Sequence, residues 1–450
     1  MTGLEISIIG FVIMLIAIFL RMPIAVAMGL TGFIGSWVVL GQPFAVLNQM
    51  KSLTYDTFSS YSLSIVPLFL LMGQFATKSG MSAALFEAAS DWLGHRKGGV
   101  AMATVGACAG FGAVCGSSLA TASTMGQVAL PEMRKRGYSD ELSTGVLAAG
   151  GTLGILIPPS VILVIYAIMT EQNIVKMFIA ALIPGIIAAF GYIIAVAIYV
   201  RIKPDSATTA ERTPIRKRMV TLLRIWPVVV IFGLVMGGIA GDWNWFQPGV
   251  QALFTPTEGA AVGAVATGVY GLFTGGLNRE SFLECILSTA SATAMIFFII
   301  FGAQLFNTFL AFTQTPQILA DWVTSQGFVP LLVLVAMLAF YLVLGCVMDS
   351  LSMILLTIPV FYPVIEVLDF GLTVEETGIW FGILALIVVE VGLITPPVGM
   401  NLFIIHSMAK DVPIHKTYKG VTPFLISDIV RVGLLITFPA ISLFLIQWMF

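Results

Sequence analysis

Charge is what this chain has least of: 10% of its 450 residues are Asp, Glu, Lys or Arg, against about 25% in an average soluble domain. A water-soluble protein of this length would lack the charges needed to cover its surface. Histidine and cysteine are scarce as well. His95, His406 and His415 are too scattered to share a metal, and none of Cys108, Cys115, Cys285 and Cys346 belongs to a CxxC pair. Cys108 and Cys115 lie two helical turns apart and read as small packing residues. These absences exclude a disulfide framework and a zinc site. A basic region ahead of the first apolar run is also missing. Residues 1–20 therefore read as a retained helix anchored by Arg21, although Ala25-Val26-Ala27 resembles a small-residue cleavage site.

What is abundant is apolar sequence: 58% of residues are hydrophobic, and the mean hydropathy is +1.01. The apolar runs are longer than barrel strands and do not alternate, so they read as membrane-crossing helices. Spans are expected at 4–20, 22–40, 63–79, 141–170, 177–200, 225–241, 255–275, 290–312, 377–409 and 421–448. Two further segments, 98–133 and 328–365, carry a polar break at mid-depth and read as re-entrant hairpins. The segment 201–224 is a charged linker holding seven Lys or Arg residues. Placing that linker in the cytoplasm, as the positive-inside rule requires, puts 18 of the 21 Lys and Arg residues inside and leaves only Lys51 and Lys176 outside. Both termini then face outward. The outer loops are 41–62, 171–176, 242–254, 313–327 and 366–376; they hold Asp56, Asp242 and the acidic run from Glu366 to Glu376, with Trp243 and Trp245 at the interface.

The two halves repeat one another. Gly73 answers Gly302 and Gly116 answers Gly345, each at an offset of 229, and Gly154-Ile155-Leu156-Ile157-Pro158-Pro159 answers Gly392-Leu393-Ile394-Thr395-Pro396-Pro397 at 238. Five spans plus one hairpin is an odd number of crossings, so the second repeat lies inverted relative to the first. The expected fold is an all-α polytopic membrane protein of two inverted repeats, 1–200 and 225–450, joined by the linker at 201–224. In this architecture, broken helices in matching positions point to the transport site.

Proline removes a backbone donor and clashes with the preceding turn. Carbonyls near 154–158 and 392–396 therefore need partners other than the helix, and a sodium ion meets that requirement. Asp349 at the second hairpin tip is a costly intramembrane carboxylate. With Ser350, Ser352 and Thr395 it offers the hard oxygens an alkali cation prefers, while Ser117, Ser118 and Thr121 offer hydroxyls and carbonyls at the first tip. The expected sodium-binding set is Ser117, Ser118, Thr121, Gly151, Thr152, Gly345, Asp349, Ser350, Ser352, Gly392 and Thr395. The expected substrate-binding set is Pro158, Pro159, Ser160, Pro396, Pro397 and Asn401. The serines alone also suit close helix packing. Glu258, after Thr255-Pro256, reads as a helix-start carboxylate. Asp428 and Arg431 read as an i,i+3 pair, and Glu390 is a deeper acid without an assigned role.

The runs Gly116-Ser117-Ser118-Leu119-Ala120-Thr121-Ala122, Pro131-Glu132-Met133, Gly150-Gly151-Thr152-Leu153-Gly154-Ile155-Leu156-Ile157-Pro158-Pro159-Ser160 and Thr255-Pro256-Thr257-Glu258, with the two second-half motifs, resemble the large membrane subunit of tripartite ATP-independent periplasmic (TRAP) transporters. The resemblance covers nearly the whole chain. It implies an elevator-type, sodium-driven secondary transporter of the bacterial inner membrane. It further implies a small four-helix membrane subunit and a periplasmic substrate-binding protein as partners, and a small organic acid as solute. Some relatives carry an acid where this chain has Thr121, which implies a first cation site built from neutral oxygens. No cofactor beyond coupling sodium ions is expected. The alternative within the same superfamily is a stand-alone sodium-coupled dicarboxylate carrier or ion antiporter. An intramembrane hydrolase built on Gly116-Ser117-Ser118 finds no histidine at matching depth and no paired carboxylates. A channel would not need two broken, inverted halves.

Overall fold

The computed structural model describes residues 2–240 and 252–450, and within them all regular structure is helical. Asp242, Trp243 and Trp245 lie outside the described residues. The first half comprises α1 (Gly3–Phe19), α2 (Ile24–Leu40), α3 (Pro43–Phe58), α4 (Ile65–Lys78), α5 (Met81–Leu93), α6 (Gly99–Cys115), α7 (Ser118–Lys135), α8 (Asp140–Leu156), α9 (Val161–Met169) and α10 (Ile174–Ile202). A linker containing α11 (Ile215–Arg224) leads to α12 (Trp226–Ala240), α13 (Pro256–Phe273), α14 (Arg279–Phe312) and α15 (Thr315–Ser325). The chain ends with α16 (Pro330–Gly345), α17 (Ser350–Glu366), α18 (Val374–Gly392), α19 (Met400–Met408), α20 (Ile414–Thr437) and α21 (Ala440–Met449).

The helix starts are written in the sequence. Thr2 with Glu5, Thr255 with Glu258 and Thr373 with Glu376 form reciprocal capping boxes, each satisfying two otherwise free amides. Glu258 is therefore the helix-start carboxylate expected of it. Helices α10, α14 and α20 are each long and apolar enough to cross a bilayer. At 34 residues, α14 is about 51 Å long and extends well past a ~30 Å hydrocarbon core; it begins eleven residues before the expected start of its span. The span expected at 421–448 is interrupted at Phe438 and Pro439, which separate α20 from α21.

Three segments expected to be loop or linker contain helices instead: α3 within 41–62, α15 within 313–327 and α11 within 201–224. Their apolar residues are interleaved with polar ones, so a search for continuous apolar runs passes over them. Helix α11 is held to α5 by Trp92, whose indole donates to the Arg218 carbonyl at 3.2 Å, and by Lys217 and Arg224 facing Asp91 and Glu87.

Both hairpins form. The first turns at Gly116, whose φ of +63° is a conformation that favours glycine; the second turns across 346–349. Neither tip reaches an end of the bundle. A Cβ at Gly116 would sit 2.8 Å from the Pro159 carbonyl oxygen, and one at Gly345 would sit 3.0 Å from the Cα of Gly392. Each tip thus stops against the broken helix of its own half. The first break bends α8 against α9 by 46°. Hairpins and broken helices make up the interior: every residue from Leu142 to Leu156 and from Thr377 to Gly392 is buried. By contrast, α1, α2, α12 and α13 turn large apolar side chains outward, Phe19 and Phe273 among them. In water that shell would aggregate; against lipid it is the matched surface.

Packing sorts the helices into two groups. Helices α2 and α14 pair, as do α4 and α13; α8 packs on α6, α7 and α20, and α18 on α16 and α17. Among the described residues, no side-chain hydrogen bond or ion pair runs directly between α1–α4 plus α12–α14 and α6–α10 plus α16–α21. Thr57 reaches Gln304, Gln49 reaches Thr308 and Lys78 reaches Glu284 within the first group. Tyr166 reaches the Gly378 carbonyl and Trp380 the Leu435 carbonyl within the second. Contact between the groups is mainly apolar, as where Phe69 meets Phe178 edge-on, with Asp56, Gln304 and Asn307 lining a cavity between them.

The tightest crossing is α8 on α20, where a Cβ at Gly420 would overlap the Glu141 carbonyl. Gly420→Ala should lower stability by about 1–3 kcal/mol through overpacking, read as a lower unfolding temperature in detergent. Gly433→Ala, on the same helix with nothing within 4 Å, should leave it unchanged.

Candidate functional site

The two hairpin tips are built alike. Ser117 caps α7, its hydroxyl accepting from the Ala120 amide at 3.4 Å; Asp349 caps α17, accepting from the Ser352 amide at 3.0 Å and the Ser352 hydroxyl at 2.6 Å. The residue after each cap, Ser118 or Ser350, is buried and points inward. Both donate to one carboxylate: Ser118 to Oε2 of Glu390, and Ser350 to Oε1 at 2.7 Å. Glu390 lies on α18, two residues before Gly392, and is fully buried. Glu390, an acid without an assigned role in the sequence reading, is therefore the link between the two tips. Its only sequence signal was being the one acid inside an otherwise apolar run of α18.

Around this bridge the expected residues fall into clusters. Gly151 and Gly154 on α8 make room for the first tip: a Cβ at Gly151 would meet Ala122 and the Ser118 carbonyl, and one at Gly154 would meet Thr121 and the Ser117 carbonyl. Asn401 on α19 reaches across from the second half, donating to the Ala148 carbonyl at 3.3 Å beside Gly151. Pro158-Pro159 and Pro396-Pro397 are both cis. Thr121 Oγ1, Ser160 Oγ and Asn401 Oδ1 are buried oxygens without a hydrogen-bond partner. Other buried atoms among the described residues share this, Ser143 Oγ and Thr417 Oγ1 included, so what distinguishes these three is their place around the breaks.

In the second half, Gly345 and Gly392 meet backbone to backbone, and the Gly399 amide donates to the Cys346 carbonyl at 3.1 Å. Thr395 donates to the Val391 carbonyl at 2.6 Å, and Tyr418 caps the Pro397 carbonyl at 2.7 Å. Thr152 is not gathered with the tips. It donates to the Ala149 carbonyl and its oxygen lies 3.1 Å from the hydroxyl of Tyr192, which donates to Asp428 at 2.9 Å. Asp428 in turn pairs with Arg431 at 2.7 Å, as their spacing anticipated. Arg431 is buried and keeps two donors, Nε and Nη1, without partners. Outside the apolar interior, Arg134 at the end of α7 grips both oxygens of Asp411, at 3.0 and 2.9 Å. That grip holds the Asp411 carboxyl below its usual range and ties the base of the first hairpin to the α19–α20 loop.

The family described as the DctM component of tripartite ATP-independent periplasmic transporters matches residues 11–441. The C4-dicarboxylate TRAP transporter large permease protein DctM of Pseudomonas aeruginosa is 34% identical over 426 residues, 94% of each chain. The sialic acid large permease SiaM of Vibrio cholerae is 30% identical over 86% of each. The isethionate permease DctMQ of Oleidesulfovibrio alaskensis is 28% identical, covering 95% of this chain and 65% of its own. The crystal structure of the YdaH transporter of Alcanivorax borkumensis superposes with a TM-score of 0.64 at 14% identity, over 88% of this chain and 89% of that one; at that identity the likeness is one of fold.

Two substitutions test the polar interior. Glu390→Ala strips both serines of their acceptor and should cost about 1–3 kcal/mol per orphaned hydroxyl, whereas Glu390→Gln, which can still accept from one serine and donate to the other, should unfold closer to the parent in the same thermal assay. Asp428→Asn leaves Arg431 as an uncompensated buried charge and should cost about 3–5 kcal/mol. Replacing both residues with leucine should cost less than that single change, and a double variant at least as unstable would show that the pair contributes more than mutual neutralisation.

Proposed function

Because the chain belongs to the DctM component family of tripartite ATP-independent periplasmic transporters, we propose that it is the large inner-membrane subunit that carries a small organic acid inward on a sodium gradient. Its partners in this reading are a small four-helix membrane subunit and a periplasmic binding protein. Relatives are named for C4-dicarboxylate, sialic acid and isethionate transport, all organic anions, which supports that solute class.

The observation that carries the reading is the apolar boundary between the two helical groups. The segments 98–200 and 328–450 contain both hairpins, both broken helices and the Ser118–Glu390–Ser350 bridge. They form the moving body; 1–79 and 225–312 form the scaffold, and 80–97 and 313–327 the arms. A body that slides must not break polar bonds to its track, and, Gly237 and Trp448 set aside, no side-chain hydrogen bond or ion pair between described residues spans this boundary. A cavity of about 230 Å³ already opens along it, with Asp56, Gln304 and Asn307 on the scaffold side and Ile165, Met169 and Leu355 on the other. The matched motif offsets support repeats at 1–200 and 225–450 joined by 201–224, and the basic-residue distribution supports a cytoplasmic linker with both termini outward.

Sodium is assigned to the oxygens of the tips and breaks. Ser117, Ser118, Thr121 and Gly151 supply hydroxyls and carbonyls on one side; Gly345, Asp349, Ser350, Ser352, Gly392 and Thr395 supply the other, where the Asp349 carboxylate balances the ion's charge. The unpartnered hydroxyl oxygen of Thr121 supports this assignment. The solute contacts the breaks themselves, at Pro158, Pro159, Ser160, Pro396, Pro397 and Asn401.

Reconstitution tests the whole reading. Proteoliposomes with the chain, the small subunit and the loaded binding protein should take up solute under an inward sodium gradient, and the chain alone should not. Vigorous uptake of free solute by the chain alone would instead make it a stand-alone carrier. Asparagine is also a good helix cap, so Asp349→Asn should preserve folding while slowing uptake at least tenfold and flattening its sodium dependence. Unchanged sodium activation in that variant would remove Asp349 from the ligand set.

A further inference from the structure

We propose that the cytoplasmic ends of α6 and α10 form a binding site for an anionic phospholipid of the inner leaflet. A cavity of about 540 Å³ lies there, with Arg96, Lys97 and Arg201 at its polar end and Ile193, Ile194 and Ala197 along its wall. The backbone brings the three cations together. Gly98 adopts φ +74°, and a Cβ there would collide with the Val200 side chain. Only glycine lets this turn lie directly on α10, and that contact sets Arg96 and Lys97 beside Arg201.

The charges in this corner are unbalanced. Of the other basic residues on that side, Arg134, Arg136, Lys203, Lys217 and Arg224 each face a carboxylate within 4.0 Å while Lys135, Arg212 and Arg216 do not, so what marks this corner is three such cations gathered at one cavity. Among the described residues Arg96, Lys97 and Arg201 face none, and Asp205 in the adjoining turn pairs with none of them. Three uncompensated cations beside the amino-terminal end of a 17-residue helix make a phosphate-seeking corner. The wall below them is apolar and continues along α10 as an outward strip of Ile194, Ile198 and Ile202, all at least half exposed. A free phosphate would use the corner and leave that strip bare. A phospholipid uses both, with headgroup among the cations and acyl chains down the strip. Basic pockets between membrane helices on the cytoplasmic side have this chemistry. The location has a mechanical consequence within the proposed function: Arg96 and Lys97 end the first arm, so a lipid held there fastens the hinge between arm and hairpin to the membrane surface. The binding claim itself stands apart from sodium coupling.

The test is native mass spectrometry on the delipidated full chain titrated with phosphatidylglycerol or phosphatidylcholine. Phosphatidylglycerol should be retained preferentially. Changing Arg96, Lys97 and Arg201 together to Gln should weaken its retention on the order of a hundredfold, at roughly fivefold per cation near a membrane surface, without altering unfolding in lipid-free detergent. Ala197→Phe, which leaves every cation in place and fills the apolar half, should also displace the lipid. Equal retention of the two lipids would overturn the proposal. So would retention that survives both variants, or displacement of the lipid by millimolar inorganic phosphate.

Discussion

A helix broken inside an apolar protein leaves amides and carbonyls without their usual partners, and the centre of this molecule is organised by how those groups are satisfied. Each uncompensated buried group costs about 1–3 kcal/mol, and lipid supplies no substitute. The protein meets the requirement by driving a hairpin tip into each break. In the second half the repair is visible bond by bond: the Gly399 amide reaches the Cys346 carbonyl, the Asn401 amide reaches Leu393, and Tyr418 covers Pro397. In the first half the Gly116 turn lies directly on Pro159, close enough that any side chain would intrude. The glycines at 116, 154, 345 and 392 are there because backbone must meet backbone. The serines that follow the tips then need an acceptor of their own, and Glu390 serves both.

The repeats match in sequence more closely than they match in contact. Gly73 and Gly302 occupy equivalent places on α4 and α14, yet they face different neighbours. A Cβ at Gly73 would strike the Cys115 carbonyl at the first hairpin tip, whereas one at Gly302 would strike Ala25 on α2. The first hairpin is accordingly enclosed, with nearly all of α6 buried, while α16 turns much of its surface outward. Two halves of like sequence in unlike environments are what one of two exchangeable conformations looks like. In the proposed mechanism, the other conformation gives the second tip the close scaffold contact that the first has here.

Much of this was legible in the sequence because it rests on patterns of one dimension. Continuous apolar runs marked the spans, fixed offsets marked the hairpins and breaks, and Thr255-Pro256-Thr257-Glu258 marked a helix start. The misses share a cause. Helices α3, α11 and α15 lie where apolar and polar residues alternate, so their helical character depends on what they pack against. Glu390 could be seen as an isolated acid, but its partners lie 40 and 272 positions away, and no spacing rule connects them. Thr152 showed the converse. It sits in the most recognisable motif of the chain, yet one turn of α8 aims its hydroxyl at Tyr192 and away from the tips. A motif fixes which helix a residue is on; which side it faces depends on neighbours brought by the fold.

The distribution of polar bonds finally explains why a body this rigid could still move. Inside it, Glu390 locks the two tips, Asp428 joins α10 to α20 through Tyr192, Arg134 clamps α7 to the α19–α20 loop, and Tyr166 and Gln172 tie α9 and its outer end to α18 and α17. Each of these bonds joins the first half to the second, so neither half can shift without the other. At the boundary with the scaffold the contacts are mainly between rings, aliphatic chains and glycines, and the polar Asp56, Gln304 and Asn307 line a cavity there instead of bonding across it. Sliding there exchanges one apolar neighbour for another, protein or lipid, at nearly equal cost, because lipid tails are as apolar as the side chains they replace. The polar groups that would resist dehydration travel inside the body with their partners. In the proposed mechanism, breaking two helices is compatible with motion because the repairs are confined to the body assigned to move, and the Glu390 bridge is the point at which that confinement is complete.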